Sequence, residues 1–269
     1  MLDKRPIGIF DSGLGGLTVM KEIVKTLPNE DIIYFGDTGR VPYGTKSRET
    51  IRRYAAEDAE FLLSRGVKVI VAACGTVSAV APDTAQLLPI PFFEMISPAA
   101  RAAVAATNNK RIGILGTPAT IKSEKHKNQI LSLLPDAEIY PVACPLFVPL
   151  VEEGLTDKNN IIVKETVKKY LNPLLESGVD TLVLGCTHYP LLSSAISEFM
   201  GGVTLINPAK ELSVVLRDYL LKNSMENDSG GAHKYFVSDM TGSFESTAEK
   251  LMGTKISQEN AKQVKIGKI

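Results

Sequence analysis

Short runs of β-branched and other apolar residues alternate along this chain with longer stretches whose apolar positions recur every three or four residues. The first pattern reads as a buried parallel strand and the second as an amphipathic helix. Strands are expected at 6–10, 31–35, 67–73, 90–94, 111–117, 138–142, 181–184, 203–206 and 235–238. Helices are expected at 17–27, 49–65, 98–107, 160–176, 191–200, 209–222 and 243–252. Residues 225–233 are polar and glycine-bearing and read as a loop, and the polar residues after 252 are left unassigned.

The pattern restarts halfway. Arg111-Ile112-Gly113-Ile114-Leu115-Gly116-Thr117 echoes Pro6-Ile7-Gly8-Ile9-Phe10-Asp11-Ser12, and Ile112 follows Ile7 by 105 positions. Two further runs match: Val69-Ile70-Val71-Ala72-Ala73-Cys74-Gly75-Thr76 and Thr181-Leu182-Val183-Leu184-Gly185-Cys186-Thr187-His188, whose cysteines lie 112 positions apart. Two similar offsets argue for an internal duplication. The expected fold class is therefore α/β, with two similar doubly wound α/β domains facing each other across a central cleft. We divide the chain at 1–97 plus 208–269 for the first domain and 98–207 for the second.

Composition adds mainly exclusions. The 269 residues hold 30 basic and 30 acidic side chains, so no net field draws the chain to nucleic acid or to an anionic membrane. No window reaches the ~20 apolar residues of a spanning helix. Residues 1–6 are charged and 7–10 are too short for a signal-peptide core, so a cytoplasmic location is expected. The three cysteines are odd in number and sit in or beside apolar strands, which fits free thiols better than a disulfide framework.

Open α/β sheets place ligands at the carboxyl ends of their strands, which is where Cys74 and Cys186 fall. A thiol is a serviceable acid or base near neutral pH because neighbours readily move its pKa from about 8.5. Two such thiols at matched tips suit the transfer of a proton from one face of a carbon to the other. Cys144, between Ala143 and Pro145, lacks polar neighbours and reads as structural. His188, two residues past Cys186, is placed to hold a thiolate as an ion pair. A zinc site on Cys186 and His188 would need two more ligands, with only His126, His233 and distant carboxylates on offer, so no metal is expected.

The turn Asp11-Ser12-Gly13-Leu14-Gly15-Gly16-Leu17-Thr18 links a strand to a helix but has Thr18 where a dinucleotide fingerprint needs its third glycine. It reads instead as an anion-holding helix start, with Asp11 as a base and Ser12 as a donor. The polar loop Gly36-Asp37-Thr38-Gly39-Arg40-Val41-Pro42-Tyr43-Gly44, after the second strand, is suited to closing over a small ligand.

These motifs, with Ser97-Pro98-Ala99, Cys144-Pro145-Leu146, Glu152 and Gly185-Cys186-Thr187-His188-Tyr189-Pro190, occur in one order along the chain. In that order it resembles the cofactor-independent glutamate racemases of bacterial cell-wall synthesis. The resemblance implies catalysis without cofactor by Cys74 and Cys186 as opposed acid/base groups, one serving each enantiomer, with Asp11 assisting Cys74 and His188 assisting Cys186. Asp37 and Glu152, with Glu153 adjacent, match acidic residues that polarise the substrate ammonium or tune the bases. Asp11, Ser12, Pro42, Tyr43, Gly44, Gly75, Thr76, Thr187 and His188 match substrate-holding positions. Glutamate is the implied substrate, D-glutamate for peptidoglycan the implied product, and a homodimer the implied assembly. One departure stands out: the family usually reads Cys-Asn-Thr at the first cysteine, and this chain reads Cys74-Gly75-Thr76. Gly75 keeps an aspartate racemase as a rival. A two-domain amino-acid-binding protein would have no use for paired thiols, and a hydrolase using Cys186 with His188 would leave Cys74 expendable.

Overall fold

A computed structural model describes residues 3–242, 244–254, 256 and 260–266. The elements run β1 (Ile7–Asp11), α1 (Leu17–Thr26), β2 (Ile32–Gly36), α2 (Arg48–Ser64), β3 (Val69–Ala72), α3 (Gly75–Val80), β4 (Phe92–Glu94), α4 (Ile96–Ala106) and β5 (Arg111–Gly116). They continue with α5 (Pro118–Lys122), α6 (Lys125–Leu133), β6 (Glu138–Ala143), α7 (Phe147–Glu152), α8 (Ile161–Glu176), β7 (Thr181–Leu184) and α9 (Ser193–Met200). The chain ends with β8 (Thr204–Ile206), α10 (Pro208–Lys222), β9 (His233–Val237), α11 (Phe244–Met252) and β10 (Ala261–Gln263).

Two parallel sheets result. One has the order β10-β9-β2-β1-β3-β4 and the other β6-β5-β7-β8. Within them the orders β2-β1-β3-β4 and β6-β5-β7-β8 are the same path taken twice, so β3 and β7, the cysteine strands, hold equivalent places. Both β3 and β7 are buried along their whole length, which is why they lack the alternation of a half-exposed strand. One buried cluster runs through both units, from Ile7 and Val71 in the first sheet to Leu115 and Leu184 in the second.

Local chemistry sets the helix starts. The Ser47 side chain accepts from the Thr50 N–H at 3.2 Å to open α2, and Thr117 does the same for Thr120 ahead of Pro118 at the start of α5. Asn160 and Asn207 cap α8 and α10 in the same way. The fold departs from the sequence expectation where the periodic signal was weak. The α3 helix is buried on every side, so it carries no amphipathic period and no helix is expected there from sequence. The α5 and α7 helices are five and six residues long, and α6 buries only His126 and Ile130. Strand β9 begins two residues earlier than expected, and β10 lies in the polar segment left unassigned. The expected helix start at Ser243 lies outside the described residues. No helix among the described residues is long and apolar enough to cross a membrane.

Candidate active site

The parallel register of β1 with β3 pairs Phe10 with Ala72, so Asp11 and Cys74 leave neighbouring strand ends together. Cys74 is 5% exposed and its Sγ lies 3.6 Å from Ser12 Oγ. Burial, and after it the Asp11 charge, pushes the Cys74 thiol up to about 12. Burial also raises the Asp11 carboxyl, against the opposing pull of His188 and of backbone N–H groups. Asp11 Oδ2 accepts from the Gly13 N–H at 3.0 Å, while Oδ1 is buried without a hydrogen-bond partner.

Across the cleft, Cys186 follows β7 and is partly exposed. Its Sγ lies 3.8 Å from His188 Nδ1, and His188 Nε2 lies 3.5 Å from Glu152 Oε1 at the end of α7. Burial works to lower the His188 pKa, but Cys186, Glu152 and Asp11 together overcome it and raise the imidazole to about 10. Near neutral pH His188 is therefore a cation lying between the second thiol and a carboxylate. Thr187 Oγ1 sits 3.3 Å from the same Nδ1.

Two contacts draw the halves together. A Cβ at Gly15 would run into His188 Cε1 and Thr187 Oγ1, so only glycine lets the first turn lie on the second cysteine's loop. Thr18 Oγ1, at the start of α1, then donates to Thr187 O at 2.8 Å. At Gly75 a Cβ would collide with the Gly185 carbonyl and lie 3.6 Å from Cys186 Cα. The residue that replaces the family's asparagine is thus where the two cysteine turns meet, backbone against backbone.

The remaining expected residues divide. Thr76 Oγ1 lies 3.1 Å from Thr117 Oγ1 of the second unit, and Gly44 packs on the same Thr117. Glu152 and Glu153 line a cavity of about 510 Å³ with Gly13, Val41 and His188. Asp37 is fully buried, and its backbone N–H donates to Asp11 O at 3.0 Å. Its carboxylate is partly committed elsewhere, because Oδ2 accepts from Arg40 Nε at 2.5 Å and from the Tyr43 hydroxyl. Asp37 Oδ1 is left without a hydrogen-bond partner. Tyr43 is buried in that network, whereas Pro42 is exposed. Cys144 is in the core, with Tyr189 Oη donating to its carbonyl at 2.9 Å.

Sequence reasoning missed Thr117, Arg40 and Asp58. Asp58 did carry a signal: α2 buries Ile51, Ala55, Asp58, Ala59 and Leu62, so a carboxylate stands on the apolar stripe of the helix. Among the described residues no group of three or more His, Cys, Asp or Glu side chains is placed to hold a metal ion.

The chain is similar to known proteins along nearly its whole length. The Asp/Glu/Hydantoin racemase family matches residues 7–214. A glutamate racemase of Geobacter metallireducens is 48% identical over 256 residues, 94% of each chain. One from Thermoanaerobacter pseudethanolicus is 45% identical over 99% of this chain and 100% of its own. The crystal structure of a Francisella tularensis glutamate racemase in complex with D-glutamate superposes with a TM-score of 0.90 at 38% identity, covering 98% of both chains. The chain belongs to the Asp/Glu/Hydantoin racemase family, among its glutamate racemases.

Proposed function

We propose that this protein interconverts L- and D-glutamate without a cofactor, by proton transfer between Cys74 and Cys186. The observation that supports the reading is the meeting of the two cysteine turns at Gly75 and Gly185, close enough for the Cys186 charge to act on the buried Cys74 thiol. One thiolate takes the α-proton, so the Cα–H bond breaks and its electron pair stays on Cα, delocalised into the α-carboxylate. The opposite thiol then gives its proton to the other face of Cα. Each turnover leaves the protonation of the two sulfurs exchanged, and proton exchange with solvent restores it before the next turnover in the same direction.

The remaining residues support the carbanionic charge and position the substrate. Asp11 stands beside Cys74, and cationic His188 stands beside Cys186 to hold it as a thiolate. The free oxygens of Asp11 and Asp37 offer acceptors for the substrate ammonium, and Glu152 orients His188 through Nε2. Ser12, Thr76, Thr187 and the Pro42-Tyr43-Gly44 loop hold the carboxylates. The domain division at 97/98 and 207/208 belongs to the same proposal: it assigns β1–β4, β9 and β10 to one side of the cleft and β5–β8 to the other. Supply of D-glutamate to peptidoglycan in the cytoplasm, by a homodimer, completes the proposed role.

The test is proton NMR of metal-chelated, dialysed protein with L-glutamate in D2O, read beside circular dichroism. The α-proton signal should vanish as ellipticity decays, and Cys74→Ser or Cys186→Ser should each stop the decay. A wild-type protein that binds glutamate and leaves its α-proton in place sinks the proposal.

A further inference from the structure

The Tyr43 hydroxyl faces two acceptors with one proton. Its oxygen contacts Asp37 Oδ2 and lies 3.0 Å from Asp58 Oδ2, and both carboxyls are fully buried. Arg40 spans the same group. Its Nε donates to Asp37 Oδ2, its Nη2 to Asp58 Oδ1 at 3.0 Å, and its Nη1 to Glu57, while its guanidinium stacks 3.9 Å from the Tyr54 ring centroid. Two buried carboxyls and a buried phenol therefore share one guanidinium, which reaches outward to the partly exposed Glu57.

A phenol donates a single hydrogen bond. With both aspartates ionised, one carboxylate oxygen would face the phenol oxygen with no proton between them, and Arg40 would answer both buried carboxylates while also pairing with the partly exposed Glu57, which Arg53 reaches as well. Buried charge left unbalanced in this way is relieved by protonation of one group. Asp37 Oδ2 accepts two donors, Arg40 Nε and the Tyr43 hydroxyl, so the phenol's one proton is engaged there. Asp58 has the complementary pattern, with one oxygen accepting from Arg40 and the other turned to the Tyr43 oxygen. Burial, and after it the Asp37 charge, also drives the Asp58 carboxyl well above the usual range, against the pull of Arg40.

We propose that Asp58 is a positioning residue held as the neutral acid, its Oδ2–H donating to Tyr43 Oη while Oδ1 accepts from Arg40. The arrangement fixes Tyr43 and, with it, the Pro42–Gly44 loop against Thr117 of the second unit. Asp58 touches no substrate and acts through Tyr43. The kinetic consequence rests on the glutamate reading above, whereas the protonation state does not.

Infrared difference spectra between the wild type and Asp58→Asn at pH 7, taken in H2O and D2O, test the protonation. A protonated-carboxyl carbonyl band that moves in D2O and is missing from the variant supports the proposal; only carboxylate bands in the difference overturn it. Asparagine mimics the neutral acid, since its NH2 donates to Tyr43 and its oxygen accepts from Arg40. Asp58→Asn should accordingly keep kcat/KM for glutamate within about three-fold, whereas Asp58→Leu should raise KM by about ten-fold or more and change kcat less. An Asp58→Asn variant that melts like the wild type yet is as impaired as Asp58→Leu overturns it as well. A wild type that does not racemise glutamate counts against the substrate reading alone, and the infrared comparison then decides the neutral acid.

Discussion

At the scale of single residues, the site is governed by which atoms are missing as much as by which are present. Gly75 has no Cβ, and the Gly185 carbonyl takes that space. Gly75→Ala should therefore prop the two cysteine turns apart, lowering kcat/KM by ten-fold or more while shifting the melting temperature little, because the strain is relieved by opening the cleft. An alanine variant with wild-type kinetics would show that the turns need not touch. His188, a cation between Cys186 and Glu152, should matter to both reaction directions alike. At an equilibrium constant of one, kcat/KM must be equal for the two enantiomers, so His188→Asn should depress both by the same factor, on the order of 10² or more. Its kcat values are free to fall unequally, and polarimetry from each enantiomer separates the two cases.

At the scale of elements, the strand ends are fixed by clamps remote from the thiols. Lys68, fully buried just before β3, meets Glu30 at 2.6 Å and donates to the carbonyls of Asp3 at 2.8 Å and Met225 at 2.6 Å. It ties the N-terminal edge of the first sheet to the segment after α10. Removing one partner of such a pair leaves the other charge stranded, so Lys68→Ala should cost about 3–5 kcal/mol by urea denaturation. A loss below about 1 kcal/mol would mean that Glu30 is readily solvated or neutralised. The elements themselves were legible in the sequence wherever a run was both long and periodic. The strand β1, the helices α1, α2, α8 and α10, and the two cysteine strands fall within a few residues of expectation. The helix α3 was hidden because burial on all sides erases the 3.6-residue signature, and α6 because its buried stripe is one histidine and one isoleucine.

At the scale of the whole molecule, a shared core joins the two sheets, and the groups trapped in it set the response to pH. His126 of α6 is 3% exposed, both its ring nitrogens lack hydrogen-bond partners, and burial lowers its pKa to about 4. Below the unfolded value of about 6.5 the unfolded chain binds a proton here that the folded one refuses. Stability should thus fall as the pH drops from about 6.5 to 4, by roughly 3 kcal/mol at most from this residue. His188 has the opposite sign, because its raised value stabilises the fold fully below about 6.5 and loses that contribution as the pH rises through about 10. Melting curves of His126→Leu should show a flatter acid limb than the wild type, and an identical acid limb would remove His126 as its cause.

By itself the sequence determined the alternating α/β plan, its repetition, and the placing of Cys74 and Cys186 at matching strand ends, because these follow from short-range periodicity and from turn chemistry. It also carried a signal that the sequence reading missed, a carboxylate on the apolar stripe of α2. The tertiary structure alone decided that Asp37 and Asp58 meet in one hydrogen-bond network through Arg40 and Tyr43, that His188 is braced by Glu152, and that Gly75 meets Gly185. Each of those depends on the approach of segments far apart in the chain, and on the burial that approach creates, neither of which leaves a period in the sequence.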